Sequence, residues 1–279
     1  MKKKILVIGS GFGGLAAACR LAARGYDVEI FEKRDRLGGR AYVYEINGFK
    51  FDGGPTAITA PFMWDDIFAA ADKRRDDYVE FVPLHPFYRI FNHEGRSFND
   101  HGNHADILSQ IDQCNPADKA GYERFLKTTR PVLEKFFLPL GNTPFLHISD
   151  MLKIAPDLIR CQSHKSVYQY IAQFIQDDFL RQVFSFHPLL IGGNPCEVPS
   201  FYAMIQFLAR QWGVYFARGG TGALVKALER LFTELGGKVH INTDVSQILV
   251  DGGKVIGLRL ADGSIHQADV VVSNADVAW

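Results

Sequence analysis

The sequence predicts an α/β fold: a parallel sheet with a β-meander, interrupted by a largely helical, aromatic-rich insertion. Three observations predict it. Continuous apolar strands alternate with helical segments near both ends of the chain, as buried parallel strands require. A glycine-rich turn separates the first strand from the first helix. Residues 61–217 hold 26 of the 35 aromatic side chains and read mostly as helix. The expected organisation is therefore residues 1–60 and 218–279 as two parts of one domain, with 61–217 inserted between them.

Each element has a local reason. Ile5–Ile8 is a short unbroken apolar strand, Gly14–Arg24 an alanine-rich helix, and Asp27–Phe31 a second strand. Tyr42, Tyr44 and Ile46 alternate up to Asn47-Gly48, and Phe49 and Phe51 alternate away from it, which is a hairpin signal. Asn115-Pro116 opens a helix whose Tyr122, Phe125, Leu126, Thr129, Leu133 and Phe136 fall at three- and four-residue steps, with a kink at Pro131. Ser200 can cap a helix running to Trp212 that is apolar on nearly every side, so it is buried in a core or faces something greasy. Thr221–Leu235 is helical and stopped by Gly236-Gly237, and Lys238–Asn242 is a third parallel strand. Asp251-Gly252-Gly253 and Ala261-Asp262-Gly263-Ser264 divide three short strands into a meander, and Asp269–Ser273 is a final apolar strand.

Composition narrows the function. The 279 residues are 47% hydrophobic and 22% charged, which excludes a disordered or fibrous chain. Lys plus Arg (31) balances Asp plus Glu (31), leaving no electrostatic footprint for nucleic acid. Cys19, Cys114, Cys161 and Cys196 are scattered with no C-x-x-C, so neither a disulfide framework nor a zinc site is indicated, and a reduced intracellular protein is expected. Lys2–Lys4 and the following apolar residues do not make a signal peptide, because glycines and Arg20 interrupt the run. No uncharged apolar stretch reaches the roughly 18 residues of a membrane span.

Gly9-Ser10-Gly11-Phe12-Gly13-Gly14 satisfies G-x-G-x-x-G. Alone the pattern is weak, but here it follows a strand, opens a helix, and a second strand ends in Glu32, 18 residues after Gly14. Gly9 permits the tight turn, Gly11 lets backbone approach a pyrophosphate, and Gly14 lets the helix pack close to the strand. The helix N-terminus offers free N–H groups to the phosphates. Glu32 can accept hydrogen bonds from the adenosine ribose, and its charge would repel a 2′-phosphate. The alternative is a glycine turn inside an ordinary α/β domain. A nicotinamide dehydrogenase would continue into another βα unit, whereas here Leu37-Gly38-Gly39-Arg40, the hairpin and Phe51-Asp52-Gly53-Gly54-Pro55-Thr56 follow, and the third parallel strand comes more than 150 residues later. Both glycine pairs would let backbone approach a bulky planar cofactor, and Arg40 could pair with the pyrophosphate.

These segments resemble the FAD domain of the amine oxidase and carotenoid desaturase superfamily, and within it the bacterial-type phytoene desaturases. Arg40–Glu45, Pro86–Arg89, Phe184–His187, Leu190–Pro195, Trp212–Val214, Arg218–Leu224 and Ser273–Asp276 extend the resemblance through essentially the whole chain. The resemblance implies a Rossmann-like FAD-binding domain. It implies that Gly9, Gly11, Gly14, Glu32, Gly38, Gly39 and Arg40 hold adenosine and pyrophosphate. Gly54, Pro55 and Thr56 would lie near the flavin ring, and the backbone of Val245 would meet the adenine. Ala217 stands where the family commonly has Pro. The family's second flavin-contacting stretch has no counterpart after Asp276, so an N-terminal portion of such an enzyme is expected.

The activity so implied is FAD-dependent desaturation of C–C bonds of phytoene or a related carotenoid, with oxygen or a quinone reoxidising the flavin. A long-chain isoprenoid substrate suits the aromatic insertion, although aromatics also fill ordinary cores. An insoluble substrate implies a cytoplasmic protein docked peripherally on a membrane surface, with Ser200–Trp212 as the supporting segment. Alternatives on the same scaffold are a carotenoid isomerase, a ketolase or an amine oxidase. From another class, the chain could be a catalytically silent remnant.

Catalytic side chains are less marked. Asp150, flanked by Leu146, Ile148 and Leu152, is the candidate acid or base if those neighbours raise its pKa; the alternative is a helix cap before Met151–Ala155. His187 is a second candidate, against a core histidine bonded to backbone. His101 and His104 with Asp100 and Asp106 could be drawn as a metal site, but a solvated loop is the expectation and no metal is assigned. Asp72–Asp77 reads as a charged helix end, and the cysteines as inert.

Overall fold

In the computed structural model, which describes residues 2–132, 134, 141 and 143–276, the chain forms two compact units, residues 2–82 with 215–276 and residues 83–214. In chain order it begins β1 (Lys4–Ile8), α1 (Phe12–Ala23), β2 (Asp27–Phe31), β3 (Val43–Ile46), β4 (Phe49–Asp52), α2 (Pro61–Ala69) and β5 (Phe81–Pro83). It continues with β6 (Tyr88–Phe91), β7 (Ser97–Asp100), α3 (His104–Cys114), α4 (Asp118–Val132), α5 (Ile148–Arg160), α6 (Val167–Ile171), α7 (Asp178–Ser185) and α8 (Ile205–Trp212). Then come β8 (Tyr215–Ala217), α9 (Thr221–Glu234), β9 (Lys238–His240), β10 (Val245–Asp251), β11 (Lys254–Leu260), β12 (Ile265–Gln267) and β13 (Val270–Ser273).

β1 and β2 are buried without alternation because both faces of their sheet are covered. The sheet is parallel with order β13-β1-β2-β9. Ile5, Val7, Val28 and Ile30 pack on one face with Leu15 and Ala18 of α1 and Leu224, Leu228, Leu231 and Phe232 of α9. Leu6 and Phe31 pack on the other with Leu258 and Leu260 of the antiparallel meander β10-β11-β12. Each fully buried side chain of this size contributes about 1.5–3 kcal/mol, so the three layers stabilise one another chiefly through these residues. Glu29 is the exception on the meander face. Its carboxylate is buried but held by Lys4 Nζ at 3.0 Å and His240 Nε2 at 2.8 Å, which offsets the cost of taking the charge out of water.

Asn47 (φ 51°) and Gly48 (φ 80°) both take left-handed backbone, the pair of conformations that a two-residue hairpin needs, and they join β3 to β4 in the expected register. Alternation along this hairpin does not bury it: Tyr44, Ile46, Phe49 and Phe51 are all exposed. Residues 61–82 pack in the first unit, with Ile67, Phe68 and Val79 in its core.

The second unit joins the β6–β7 hairpin to helices α3–α8 around an aromatic core that includes Phe98, Tyr122, Phe125, Tyr170, Phe184 and Phe207. α4 carries Pro131 as expected; Leu133 and Phe136, placed on the same helix by their spacing, lie outside the described residues. Ser200 does not cap a long helix. Ser200–Met204 is a 3₁₀ turn leading into α8, and the Ser200 hydroxyl donates to the Cys161 carbonyl instead of accepting from a helix N–H. The Ser200–Trp212 segment supplies core residues: Ala203 to Ala209 are buried, while Phe201, Tyr202 and Trp212 are half-buried. The exposed apolar helix is α5, which buries none of its residues and leaves Ile148 82%, Leu152 67% and Ile159 72% exposed. Among the described residues no helix is long and apolar enough to cross a membrane.

Candidate dinucleotide-binding site

β1 ends at Ile8, and Gly9 (φ 85°) turns the chain so that its N–H reaches the Phe31 carbonyl at 2.8 Å. α1 then starts with no side chain capping it and no acidic residue in its first turn, so its free N–H groups and positive dipole end face outward without a competing carboxylate. Gly14 is obligatory for this closure: a Cβ there would stand 2.1 Å from the Gly9 carbonyl oxygen. The close approach of helix to strand expected of the third fingerprint glycine is therefore a backbone contact within the turn itself.

Glu32, at the end of β2, is 5% exposed. Its Oε2 accepts from the Ser10 N–H at 2.9 Å and the Ser10 hydroxyl at 2.5 Å, and its Oε1 accepts from the Arg34 N–H at 2.9 Å. Burial alone would raise this carboxyl, but the Ser10 and Arg34 donors hold it below the ordinary glutamate range, so it is ionised at neutral pH. A carboxylate has about four lone-pair sites, and three are used, which leaves one for a ribose hydroxyl. Ser10, the variable position between the first two glycines, is thus the residue that orients Glu32; nothing in the motif marks it.

The Gly38-Gly39 pair makes room for backbone. The Gly38 N–H donates to the Ser10 carbonyl at 3.0 Å, and a Cβ on Gly39 would lie 3.0 Å from the Gly11 Cα. Arg40 follows with its side chain 90% exposed, 3.6 Å from Asp276. A Cβ on Gly54 would stand 2.5 Å from the Arg40 carbonyl oxygen, so the second glycine pair packs on the backbone that follows the first. Between them is a cavity of about 330 Å³ lined by Arg34, Gly39, Arg40, Tyr42, Gly54 and Pro55, among others. Thr56 is exposed beside it. The Pro55 carbonyl accepts from the Thr221 hydroxyl at 3.0 Å, and the Asp52 carboxylate accepts from the Thr221 N–H at 3.1 Å. Asp52 therefore caps α9 from 169 residues away, a contact no local pattern announces. Val245 opens β10 and packs against the Leu6 and Phe31 cluster, and the Thr243 N–H donates to the Glu32 carbonyl at 2.8 Å. The fingerprint, both glycine pairs and the start of β10 are thus gathered on the first unit. Their chemistry suits a dinucleotide: free N–H groups, two guanidinium groups, low glycine backbone and one buried carboxylate.

The other candidates fare differently. Asp150 is the third residue of α5 and closes a capping box, accepting from the His147 N–H at 3.1 Å, with Lys153 Nζ 3.1 Å away. The Lys153 ammonium and these N–H donors hold its carboxyl below the aspartate range, so the expected upward shift is overturned. Its apolar neighbours in sequence point to solvent and do not desolvate it. His187 is a core histidine, 1% exposed, but among the described residues neither ring nitrogen has a hydrogen-bond partner, backbone included, and burial pushes its pKa down to about 3. Its Nε2 is 3.8 Å from the buried Asp100 carboxylate, which burial pushes upward. Asp100 thus ends β7 inside the unit instead of sitting in a solvated loop, while His104 pairs with Glu123 at 2.7 Å. Among the described residues no group of three or more His, Cys, Asp or Glu side chains could hold a metal ion. The 72–77 run leaves α2 through Asp72 (φ 55°), and Arg75 turns back onto Asp65 at 2.7 Å.

Comparison with known proteins adds the family. Residues 12–278 match the model of flavin containing amine oxidoreductases. The chain is 48% identical over 275 residues to a phytoene desaturase (lycopene-forming) of Pseudescherichia vulneris, covering 99% of this chain and 56% of that protein. A protein of the same description from Pantoea ananas is also 48% identical, with the same coverage. The chain therefore spans about half the length of the curated relatives it matches. Among solved structures, an oxidoreductase from Methanosarcina mazei superposes with a TM-score of 0.68 at 24% identity, covering 97% of this chain and 58% of that one, which shows the fold. A flavin-containing family built on a dinucleotide fingerprint takes FAD, the flavin that is itself a dinucleotide. This chain belongs to the flavin containing amine oxidoreductase family.

Proposed function

We propose that this chain is the FAD-binding portion of an oxidoreductase that desaturates C–C bonds of phytoene or a related carotenoid in carotenoid biosynthesis. The observation that carries the reading is 48% identity, sustained over nearly the whole chain, to enzymes named for phytoene desaturation. Gly9, Gly11, Gly14, the α1 N-terminus, Gly38, Gly39 and Arg40 would hold the pyrophosphate. Glu32 would take the ribose, the Val245 backbone the adenine, and Gly54, Pro55 and Thr56 the flavin ring. When bound, FAD supplies a two-electron oxidant for a C–H bond. The chain's own part is to bind and orient. In this reading Asp150 keeps the helix-capping role that its hydrogen bonds describe.

A carotenoid is insoluble in water, so the reading includes a cytoplasmic protein resting on a membrane surface. We assign the contact to α5, whose exposed Ile148, Met151, Leu152 and Ile159 are the kind of face that enters a lipid interface.

The test is anaerobic. The purified chain is loaded with FAD and mixed with liposomes carrying phytoene, or with putrescine as an amine substrate, and the visible flavin band is followed. Bleaching by phytoene with formation of a more conjugated product supports the proposal. Bleaching by putrescine alone assigns an amine oxidase. An FAD-loaded chain that phytoene leaves unbleached refutes desaturation by this chain alone.

A further inference from the structure

The glycine turn has a second wall that the fingerprint does not contain. Asn274 follows β13, and its backbone N–H donates to the Ile8 carbonyl at 2.8 Å, which fixes it beside the end of β1. From there it lies along the whole turn. A Cβ on Gly13 would stand 2.6 Å from Asn274 Oδ1, one on Gly11 3.0 Å from Nδ2, one on Gly14 3.3 Å from Asn274 Cβ, and one on Gly9 3.3 Å from the Asn274 carbonyl. The fingerprint glycines are therefore low on this side because an asparagine occupies the space. That side chain is exposed, and among the described residues its amide has no hydrogen-bond partner. Two residues on, Asp276 reaches Arg40 at 3.6 Å, so the segment 274–276 borders the glycine turn at one end and the Arg40 guanidinium at the other.

An asparagine amide carries two N–H donors and no charge. Placed against the N-terminus of α1, it extends the row of donors that the helix already presents to an anion. A carboxylate of the same shape would occupy the anion site itself. We propose that Asn274 is a further cofactor-binding residue, donating from its side-chain amide to the pyrophosphate of FAD. The proposal rests on the reading of the glycine turn as the FAD pyrophosphate site.

Two variants separate donation from packing. Asn274→Leu keeps about the same volume and removes both N–H donors; Asn274→Ala removes the side chain and its contacts with the glycines as well. Dissociation constants for FAD and for ADP are measured by titration calorimetry on the 279-residue chain, and urea unfolding reports whether each variant is folded. A hydrogen bond to a charged group is worth enough to predict about tenfold or more loss for Asn274→Leu and for Asn274→Ala, with FAD and ADP affected alike. If packing were the role, Asn274→Leu would bind as the parent does and Asn274→Ala would be the weaker; either that order or unchanged affinity in both variants overturns the inference. A parent chain that binds neither FAD nor ADP overturns the reading of the glycine turn, and the inference with it.

Discussion

Replacing Gly14 by Ala tests whether the closure of α1 onto β1 organises the site. The added Cβ would lie 2.1 Å from the Gly9 carbonyl oxygen and 3.2 Å from its carbon, far inside van der Waals contact, and both are backbone atoms. Neither side can give way cheaply. The Gly9 N–H is bonded to Phe31, while Leu15, Ala18 and Cys19 of α1 are fully buried against the sheet. Overpacking of this kind costs about 1–3 kcal/mol. Alanine regains roughly 1 kcal/mol in helix propensity, and a clash with backbone falls at the upper end of the range, so a net loss of about 2 kcal/mol is expected. With a urea slope of about 2 kcal/mol/M, the unfolding midpoint falls by about 1 M. FAD affinity falls with it, since the α1 N–H groups shift. Gly13→Ala is the control. Its Cβ meets only the far end of the Asn274 side chain, which can rotate away, and its stability stays within about 0.5 kcal/mol of the parent. A Gly14→Ala chain with an unchanged midpoint and unchanged FAD affinity would show that the closure of α1 onto β1 does not organise the site.

Three further outcomes are expected. His187 has a folded pKa lowered from 6.5 to about 3, so the unfolded chain takes up a proton that the folded one refuses; stability is complete above pH 6.5 and is lost as pH falls toward 3, by about 2 kcal/mol between pH 7 and pH 5. His187→Gln removes that slope in urea midpoints taken across this range, while the opposite dependence of Asp100, whose carboxyl is raised, remains in both proteins; an identical slope would contradict the assignment. Gly48→Ala forces a side chain into left-handed backbone with nothing else nearby, and costs about 1 kcal/mol by thermal unfolding, whereas Gly48→Asn costs less. Asp150→Asn leaves FAD affinity unchanged in a titration, because the residue caps α5; a changed affinity would return it to the site.

The parts of this protein legible in its sequence are those whose signal is local. Ile5–Ile8, Asp27–Phe31, the glycine turn and Glu32 stand at spacings set by one βαβ geometry, and Asn47-Gly48 states its own backbone conformation. What escapes is contact between distant segments. Ser10 binds Glu32, Asp52 caps α9 through Thr221, and Asn274 lines the glycine turn, yet none of these residues has a neighbour in sequence that calls for the role. Asp150 shows the converse error. Leu146, Ile148 and Leu152 surround it in sequence but stand 74%, 82% and 67% exposed, so apolar neighbours along the chain gave no desolvation in space. The Ser200 segment misleads for a related reason: an all-apolar helix pattern does not distinguish a buried core from a membrane face, and here Ala203 to Ala209 are core.

Whether the glycine turn and Glu32 hold FAD is decided by equilibrium dialysis of the purified chain against FAD, with Glu32→Ala alongside. The expected result is one FAD bound per chain, displaced by ADP, and an affinity reduced about tenfold or more when the buried carboxylate and its ribose hydrogen bond are removed. FAD that fails to bind, or that binds Glu32→Ala as tightly as the parent, would contradict it.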